Sequence, residues 1–452
     1  MLKNIKNIFF LGIGGIGMSA LARWTHAKDF EVQGWDDNPD TDLVSFLIEE
    51  GISVFSGSVN KLGDIFNTWS HHNSILIYTP AISHEHKCFK RFQAACFNIY
   101  KRSELLSFVC RNHQVIAIAG THGKTTISIM LSHILKSSGI NCSAFFGGIS
   151  KNYQSNLLIG DTDIIVVEAD EYDQSFLQLN PDISLISSLD KDHGDIYSSR
   201  SSMLVAYRNF MSQTKMMIGK TKLDYEFNFN YSLSPPADVY ADHIHYEGNV
   251  LSFKINFPNK KHVKSSLING TMYNLENAIG ASALAYKVGV KIKDIGRALS
   301  SFLGVFRRFE YHVNSKDFIL IDDYAHHPEE LKALIYSLKL LYKKKEILFI
   351  FQPHLFSRTK EFENQFAEVL SLVDKLVLLD IYGAREKSIV GVTSQSLLKK
   401  VNIKTKIYCD INKAEGFQKL KIFLLKECPE IVVTAGAGDI YKLIPFIKSL
   451  FT

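Results

Sequence analysis

Residues 115–126 read VIAIAGTHGKTT, an apolar stretch that runs straight into Gly120, Thr121, His122, Gly123, Lys124, Thr125 and Thr126. An apolar strand, a glycine-bearing turn and a helix over 126–138 form one unit of a parallel α/β sheet. The glycines let the backbone approach an anion, the first amides of the helix point at it, and Lys124 adds a full positive charge. The Thr125 hydroxyl is placed to ligate the Mg2+ that travels with a nucleotide. A strict Walker pattern wants glycine five residues before Gly123, where this chain has Ile118. The strand–Gly–Lys–Thr–helix mechanics survive that departure. The segment reads as a nucleoside triphosphate site.

Upstream, the apolar strand 7–11 (NIFFL) leads into Gly12, Gly14 and Gly17, with Asp36 further on. This is the GxGxxG arrangement of a dinucleotide site. Gly15, Met18 and Ser19 complete a GIGGIGMS string. Physically it supports a pyrophosphate at a helix N-terminus and does not separate NAD from another nucleoside diphosphate. Alternating strands and helices run on to residue 111 and predict a parallel doubly wound sheet.

Downstream of the phosphate loop, Glu168, Asp170, Glu171 and Asp173 crowd the end of the strand IIVVE. A carboxylate at a strand end beside a phosphate loop is the usual place for Mg2+ coordination. Asp192–His193–Gly194–Asp195 follows a second apolar strand, and a neutral histidine nitrogen there suits a further metal ion. Between 216 and 257 short alternating runs predict a small antiparallel sheet appended to the core. From Phe309 a third strand–helix series carries Asp322, Asp323, Tyr324, His326 and His327, then Gln352, His354 and Arg358, at its strand ends. Paired histidines fit metal ligation, but Arg358 and Tyr324 favour an anionic group such as an amino-acid carboxylate. Arg307 and Arg308 are positioned to reach nucleotide phosphates.

The whole chain agrees with three such units. It has 452 residues, 46% of them apolar, and a net charge of +5, enough for about three domains. No basic stripe interleaved with aromatics marks a nucleic-acid partner. The six cysteines show no CxxC pair, so they read as reduced thiols. Glycines interrupt the N-terminal apolar run, which argues against a signal peptide, and no apolar stretch reaches spanning length. A cytoplasmic protein without membrane insertion is expected. The fold expected is α/β with three domains, each on a mainly parallel doubly wound sheet: 1–111, 112–308 and 309–452.

Taken together these residues resemble the Mur ligase family of peptidoglycan synthesis. The markers are GIGGIGMS (12–19), YTPAIS (78–83), AGTHGKTT (119–126), VEADEYDQSFLQLNPDISLISSLDKDH (167–193), GVFRRFE (304–310), DDYAHHPEE (322–330), FQPHLFSRT (351–359), LDIYGARE (379–386) and TAGAGDI (434–440). The resemblance implies an N-terminal Rossmann-like domain for a UDP-sugar, a central P-loop ATPase and a C-terminal Rossmann-like domain for an amino acid. It overrules the NAD reading of the first glycine motif. The implied reaction joins L-alanine to UDP-N-acetylmuramate through an acyl phosphate, with ATP giving ADP and phosphate. A sibling that attaches a preformed peptide to the same UDP-sugar, the recycling ligase, is the alternative.

Carried over residue by residue, the resemblance implies that Gly14, Gly15, Gly17, Met18 and Ser19 bind the UDP-sugar. Gly120 to Thr126 with Asn277, Arg308 and Asp323 bind ATP, and Lys124 and His193 act in catalysis. Thr125, Glu168 and His193 ligate Mg2+. Tyr324, His326 and Arg358 hold the amino acid. A monomer or homodimer is expected. The chain departs from the family pattern at Leu355, where arginine is frequent, at Tyr273, where histidine is usual, and at Gly383, where proline is common. The lysine that sibling ligases carbamylate is not found, and Arg208 lies near its place.

Overall fold

The structure is a computed structural model that describes residues 4–192, 196–197, 199–384 and 386–452. Three sheets follow one another along the chain. The first comprises β1 (Asn7–Leu11), β2 (Glu31–Trp35), β3 (Ser53–Phe55), β4 (Ser74–Tyr78) and β5 (Asn98–Lys101), all parallel in the order β3-β2-β1-β4-β5. Every residue of β1 and β4 is buried, as in strands covered on both faces. Alternation splits β1 between two cores, with Ile8 and Phe10 on one side and Phe9 and Leu11 on the other. The strand order reverses around β1, and the glycine turn opens at that switch point.

The second sheet comprises β6 (Gln114–Ala119), β7 (Ser143–Ser150), β8 (Ser155–Leu158), β9 (Ile164–Glu168), β10 (Ile183–Ile186), β11 (Met216–Lys220), β12 (Phe229–Ser232), β13 (Val239–Glu247), β14 (Val250–Asn256) and β15 (His262–Ile268). Its order is β15-β14-β13-β12-β11-β10-β6-β9-β7-β8. Because β6 lies between β9 and β10, Ile118 pairs with Glu168 and Ala119 with Ile186. That register brings the acidic strand end and Ser187–Ser188 alongside the phosphate loop.

The small antiparallel sheet expected over 216–257 as an appendage of the core is the continuation of this central sheet. Strands β11 and β12 join it in parallel, and the antiparallel pairs at this end are β13 with β14 and β14 with β15. The alternating residues Leu251, Phe253 and Ile255 of β14 pack into the core shared with the helix Met272–Val288. Alternation identifies the buried face of a strand and says nothing about its hydrogen-bonded neighbour.

The third sheet comprises β16 (Glu310–Asn314), β17 (Ile319–Asp323), β18 (Ile347–Phe351), β19 (Lys375–Leu379), β20 (Thr405–Cys409) and β21 (Ile431–Ala435), in the order β16-β17-β21-β18-β19-β20. All pairs are parallel except β16 with β17. Asp323 and Phe351 both pair with Ala435. The segments after β17, β18 and β21 therefore emerge together at one end of the sheet. The expected α/β architecture of three mainly parallel sheets is the one observed.

Polar contacts join the units. Arg23 donates to Ser155 Oγ at 2.9 Å and Asn156 Oδ1 at 3.0 Å, and Lys101 pairs with Asp173 at 2.9 Å. Arg358 of the third unit pairs with Asp192 of the second at 2.8 Å. Among the described residues, no helix is long and apolar enough to cross a membrane.

Candidate active site

The phosphate loop owes its shape to two glycines with positive φ, 123° at Gly120 and 81° at Gly123. A Cβ at Gly120 would lie 2.8 Å from the Ser188 amide nitrogen, and one at Gly123 would lie 2.5 Å from Asn277 Oδ1. The helix Lys124–Ser137 starts at Gly123 without a side-chain cap, which leaves its first amides available to an anion. His122 N donates to Ser188 Oγ at 2.9 Å, and Thr121 Oγ1 donates to Asp190 O at 2.7 Å. Replacing Gly120 by alanine is expected to weaken nucleotide binding by about 10- to 100-fold, the cost of a strained backbone position. Equilibrium binding of an ATP analogue checks it, and an unchanged Kd would show that the loop tolerates a side chain there.

Thr125 Oγ1 stands 3.1 Å from Glu168 Oε1, and the Gly147 amide holds Glu168 Oε2 at 2.8 Å. Burial lifts the Glu168 carboxyl above its usual range against the opposing charge of Lys124. A hydroxyl and a carboxylate side by side are the hard oxygen donors Mg2+ takes, with phosphate and water filling the rest. Among the described residues, no three His, Cys, Asp or Glu side chains stand together as a metal-ligating group. His193, the expected further ligand, lies outside the described residues. Lys124 Nζ donates to both Glu171 carboxylate oxygens, at 2.9 and 2.8 Å. Burial alone would lower the lysine's pKa, but Glu171, Asp170 and Glu168 together hold it above its ordinary value.

Two clefts flank this centre. The first, of about 290 Å³, is lined by Gly15, Gly17 and Met18 at the glycine turn, by Arg102, and by Glu168 and Asp170 opposite. The helix Ile16–His26 begins there without a side-chain cap. Gly14 and Ser19 are not among its lining residues. Gly14 N donates to Asp36 Oδ2 at 2.8 Å. Ser19 is fully buried, donating to Ile16 O and accepting from Asn156 Nδ2 at 2.9 Å. These two shape the turn and its seat on the central sheet.

The second cleft, of about 230 Å³, gathers His122, Gly123, Thr126, Asn277, Arg308 and Asp323 of the expected ATP set around Tyr231 and Tyr273, while Gly120, Thr121, Lys124 and Thr125 of that set are not among its lining residues. Asp323 accepts from Phe309 N at 2.7 Å and Tyr273 Oη at 3.1 Å. Burial pushes its carboxyl up to about 6, with Arg308 opposing. Next to this cleft Tyr324, His326, His354 and Arg358 form a chain of contacts. Ring centroids are 5.4 Å apart for Tyr324–His326 and 5.7 Å for His326–His354, and Arg358 Nη1 reaches His354 Nδ1 at 3.1 Å. Burial pushes His326 down to about 4, so its ring is neutral at pH 7. Arg358 is itself 6% exposed and engaged by Asp192 Oδ1 at 3.1 and 2.8 Å.

Comparison with known proteins bears on this arrangement. The description "Mur ligase family, catalytic domain" matches residues 7–114, "Mur ligase middle domain" 118–285 and "Mur ligase, glutamate ligase domain" 307–438. The chain belongs to the Mur ligase family. The UDP-N-acetylmuramate–L-alanine ligase of Porphyromonas gingivalis strain W83 is 40% identical, the match covering 98% of each chain. That of Christiangramia forsetii is 40% identical over 99% of this chain and 98% of its own. Among solved structures, the UDP-N-acetylmuramate-alanine ligase of Thermotoga maritima matches with TM-score 0.80 at 23% identity, covering 98% and 99% of the two chains. A murein peptide ligase of Psychrobacter arcticus matches with TM-score 0.70 at 20% identity, covering 99% of each. These two likenesses speak for the shared fold.

Several residues of this Mur ligase site escape a reading of motifs. Glu330 stands 3.2 Å from His122 Nδ1 and accepts from the amides of His326 and His327 at 3.0 and 3.2 Å, tying the phosphate loop to the third unit. In the sequence it closes the DDYAHHPEE string as the third residue of a helix that begins at Pro328, with nothing to show that it reaches His122. Lys220 and Glu276 pair at 2.9 Å on the wall of the second cleft, and Arg102 lies beside Gly17 in the first. Each sits at an ordinary surface position of its own element and acquires a role through what folds against it.

Proposed function

We propose that this Mur ligase joins L-alanine to UDP-N-acetylmuramate, converting ATP to ADP and phosphate. One observation carries the reading: the Thr125–Glu168 pair stands between a cleft opening on the glycine turn and a cleft lined by the phosphate loop. The UDP pyrophosphate rests on the uncapped helix start at Gly15–Met18, which directs the sugar's carboxylate toward Glu168. Gly120 to Thr126, Asn277 and Arg308 hold the triphosphate from the other side.

The carboxylate oxygen attacks the γ-phosphorus, the bridging bond to the β-phosphate breaks, and ADP leaves. The alanine nitrogen then attacks the acyl carbon, the bond to the phosphate oxygen breaks, and the amide forms. Lys124 stabilises charge on the transferring phosphoryl group. Thr125, Glu168 and His193 would hold Mg2+, which would supply charge neutralisation for the triphosphate. Tyr324, His326 and Arg358 orient the amino acid, Arg358 through its carboxylate. The domains fall at 1–111, 112–308 and 309–452, and the enzyme works in the cytoplasm as a monomer or homodimer.

Incubation with UDP-N-acetylmuramate, ATP, Mg2+ and a mixture of amino acids tests the proposal by product mass. A product one alanine residue heavier than the UDP-sugar is expected, with ATP hydrolysis stimulated by alanine. Stimulation by a tripeptide in place of alanine would overturn it in favour of the recycling sibling.

A further inference from the structure

The acceptor around Lys124 is an unexpected one for a residue that handles phosphate. Its ammonium has three protons, and three close acceptors surround it: both oxygens of Glu171 and the Gly120 carbonyl at 2.7 Å. The pair is sealed in, with the Glu171 side chain 1% exposed and that of Lys124 11%. Glu171 is held from behind, since its backbone carbonyl accepts from Tyr197 Oη at 2.7 Å. A phosphate oxygen therefore reaches Lys124 only by displacing one of these acceptors. The Gly120 carbonyl belongs to the loop backbone and stays. The carboxylate is an anion, as phosphate is, and is the partner that exchanges.

We propose that Glu171 is a positioning residue for Lys124, holding the ammonium on the floor of the phosphate loop in the nucleotide-free enzyme and yielding it to the distal phosphates when ATP binds. The inference rests on the reading of Lys124 as the phosphate-binding lysine. Glu171 then acts as a built-in competitor of the triphosphate. It keeps a buried cation compensated when the site is empty, and it sets ATP affinity below what the loop alone would reach.

Glu171→Gln removes the charge with little change of shape. Equilibrium binding of Mg2+-loaded β,γ-imido-ATP to the full-length variant is expected to tighten by about 5- to 30-fold, because a buried cation that has lost its nearest counter-charge gains more from the incoming anion. AMP, which lacks both distal phosphates, is expected to shift by less than about twofold, and KM for ATP to fall with the analogue's Kd. The gain vanishes when Lys124→Ala is added, as a pairwise coupling requires. Unchanged or weaker analogue binding by Glu171→Gln overturns the proposal. Should that variant not fold, Glu171→Asp, which keeps the charge on a shorter arm, decides the matter by a gain in the same direction. Lys124→Ala measured alone separates the two readings. Undiminished analogue affinity in it sinks the phosphate-loop assignment, whereas weakened affinity without any gain from Glu171→Gln sinks only the role of Glu171.

Discussion

Replacing Lys124 by alanine is expected to lower ligation by at least ~10²-fold, the loss that follows removal of one charge-stabilising contact from a transferring group. The lysine starts the helix Lys124–Ser137, next to the Thr125–Glu168 pair, and under the proposed mechanism its ammonium meets the γ-phosphoryl charge. Among the described residues, Lys220 and Arg308 are the lysine and arginine that line the second cleft, and Arg308 lies over the Tyr324 ring, 4.8 Å from its centroid. A second effect accompanies the first. Without Lys124 the buried Glu171 carboxylate loses its lysine partner, and breaking such a pair costs about 3–5 kcal/mol. Thermal unfolding of the variant, followed beside its activity, separates the two. Adding Glu171→Gln removes the stranded charge and is expected to recover stability while leaving ligation low. Near wild-type ligation by Lys124→Ala would sink the assignment of the loop.

The parts of this molecule that could be read from the chain are those whose residues lie next to one another in it. The glycine turn, the phosphate loop and the acidic strand end are each a strand running into its own loop, and the parallel register β10-β6-β9 does the rest. What could not be read are pairs closed by tertiary structure alone. His122 and Glu330 are 208 residues apart and Arg358 and Asp192 are 166 apart, and no local pattern announces either. The sheet beyond β11 was misjudged for a related reason, since a strand's edge partners are not written in its side chains.

The departures from the family pattern also find physical content only in three dimensions. Tyr273 stands where histidine is usual, and its hydroxyl reaches Asp323 at 3.1 Å, keeping a hydrogen-bond donor on that carboxylate. Leu355 stands where arginine is frequent, with φ at 69° and its amide donating to Tyr382 O at 2.9 Å. The backbone there is fixed by the turn into the helix Phe356–Glu361, independently of which side chain is present. With leucine at that position, Arg358 is the one arginine of the FQPHLFSRT string, the guanidinium proposed for the amino acid's carboxylate.

Arg358→Met is therefore expected to raise KM for alanine by at least ~10²-fold, since the proposed charge-assisted contact to its carboxylate is lost. The same substitution tests whether the Asp192 contact is structural. Asp192 is 7% exposed, and stripping its cationic partner leaves a buried charge, a loss of about 3–5 kcal/mol. A fall in unfolding temperature should accompany the rise in KM. Asp192→Asn in the same chain removes the stranded charge at nearly constant shape, so the double variant is expected to regain most of the stability. It regains none of the alanine affinity, because no guanidinium has been restored. The two readouts thus come apart in one cycle of four proteins. Alanine KM within about threefold of wild type in Arg358→Met would show that the carboxylate is held elsewhere. Lost stability that Asp192→Asn does not recover would show that Arg358 supports the fold through His354 and the helix it sits on instead of through Asp192.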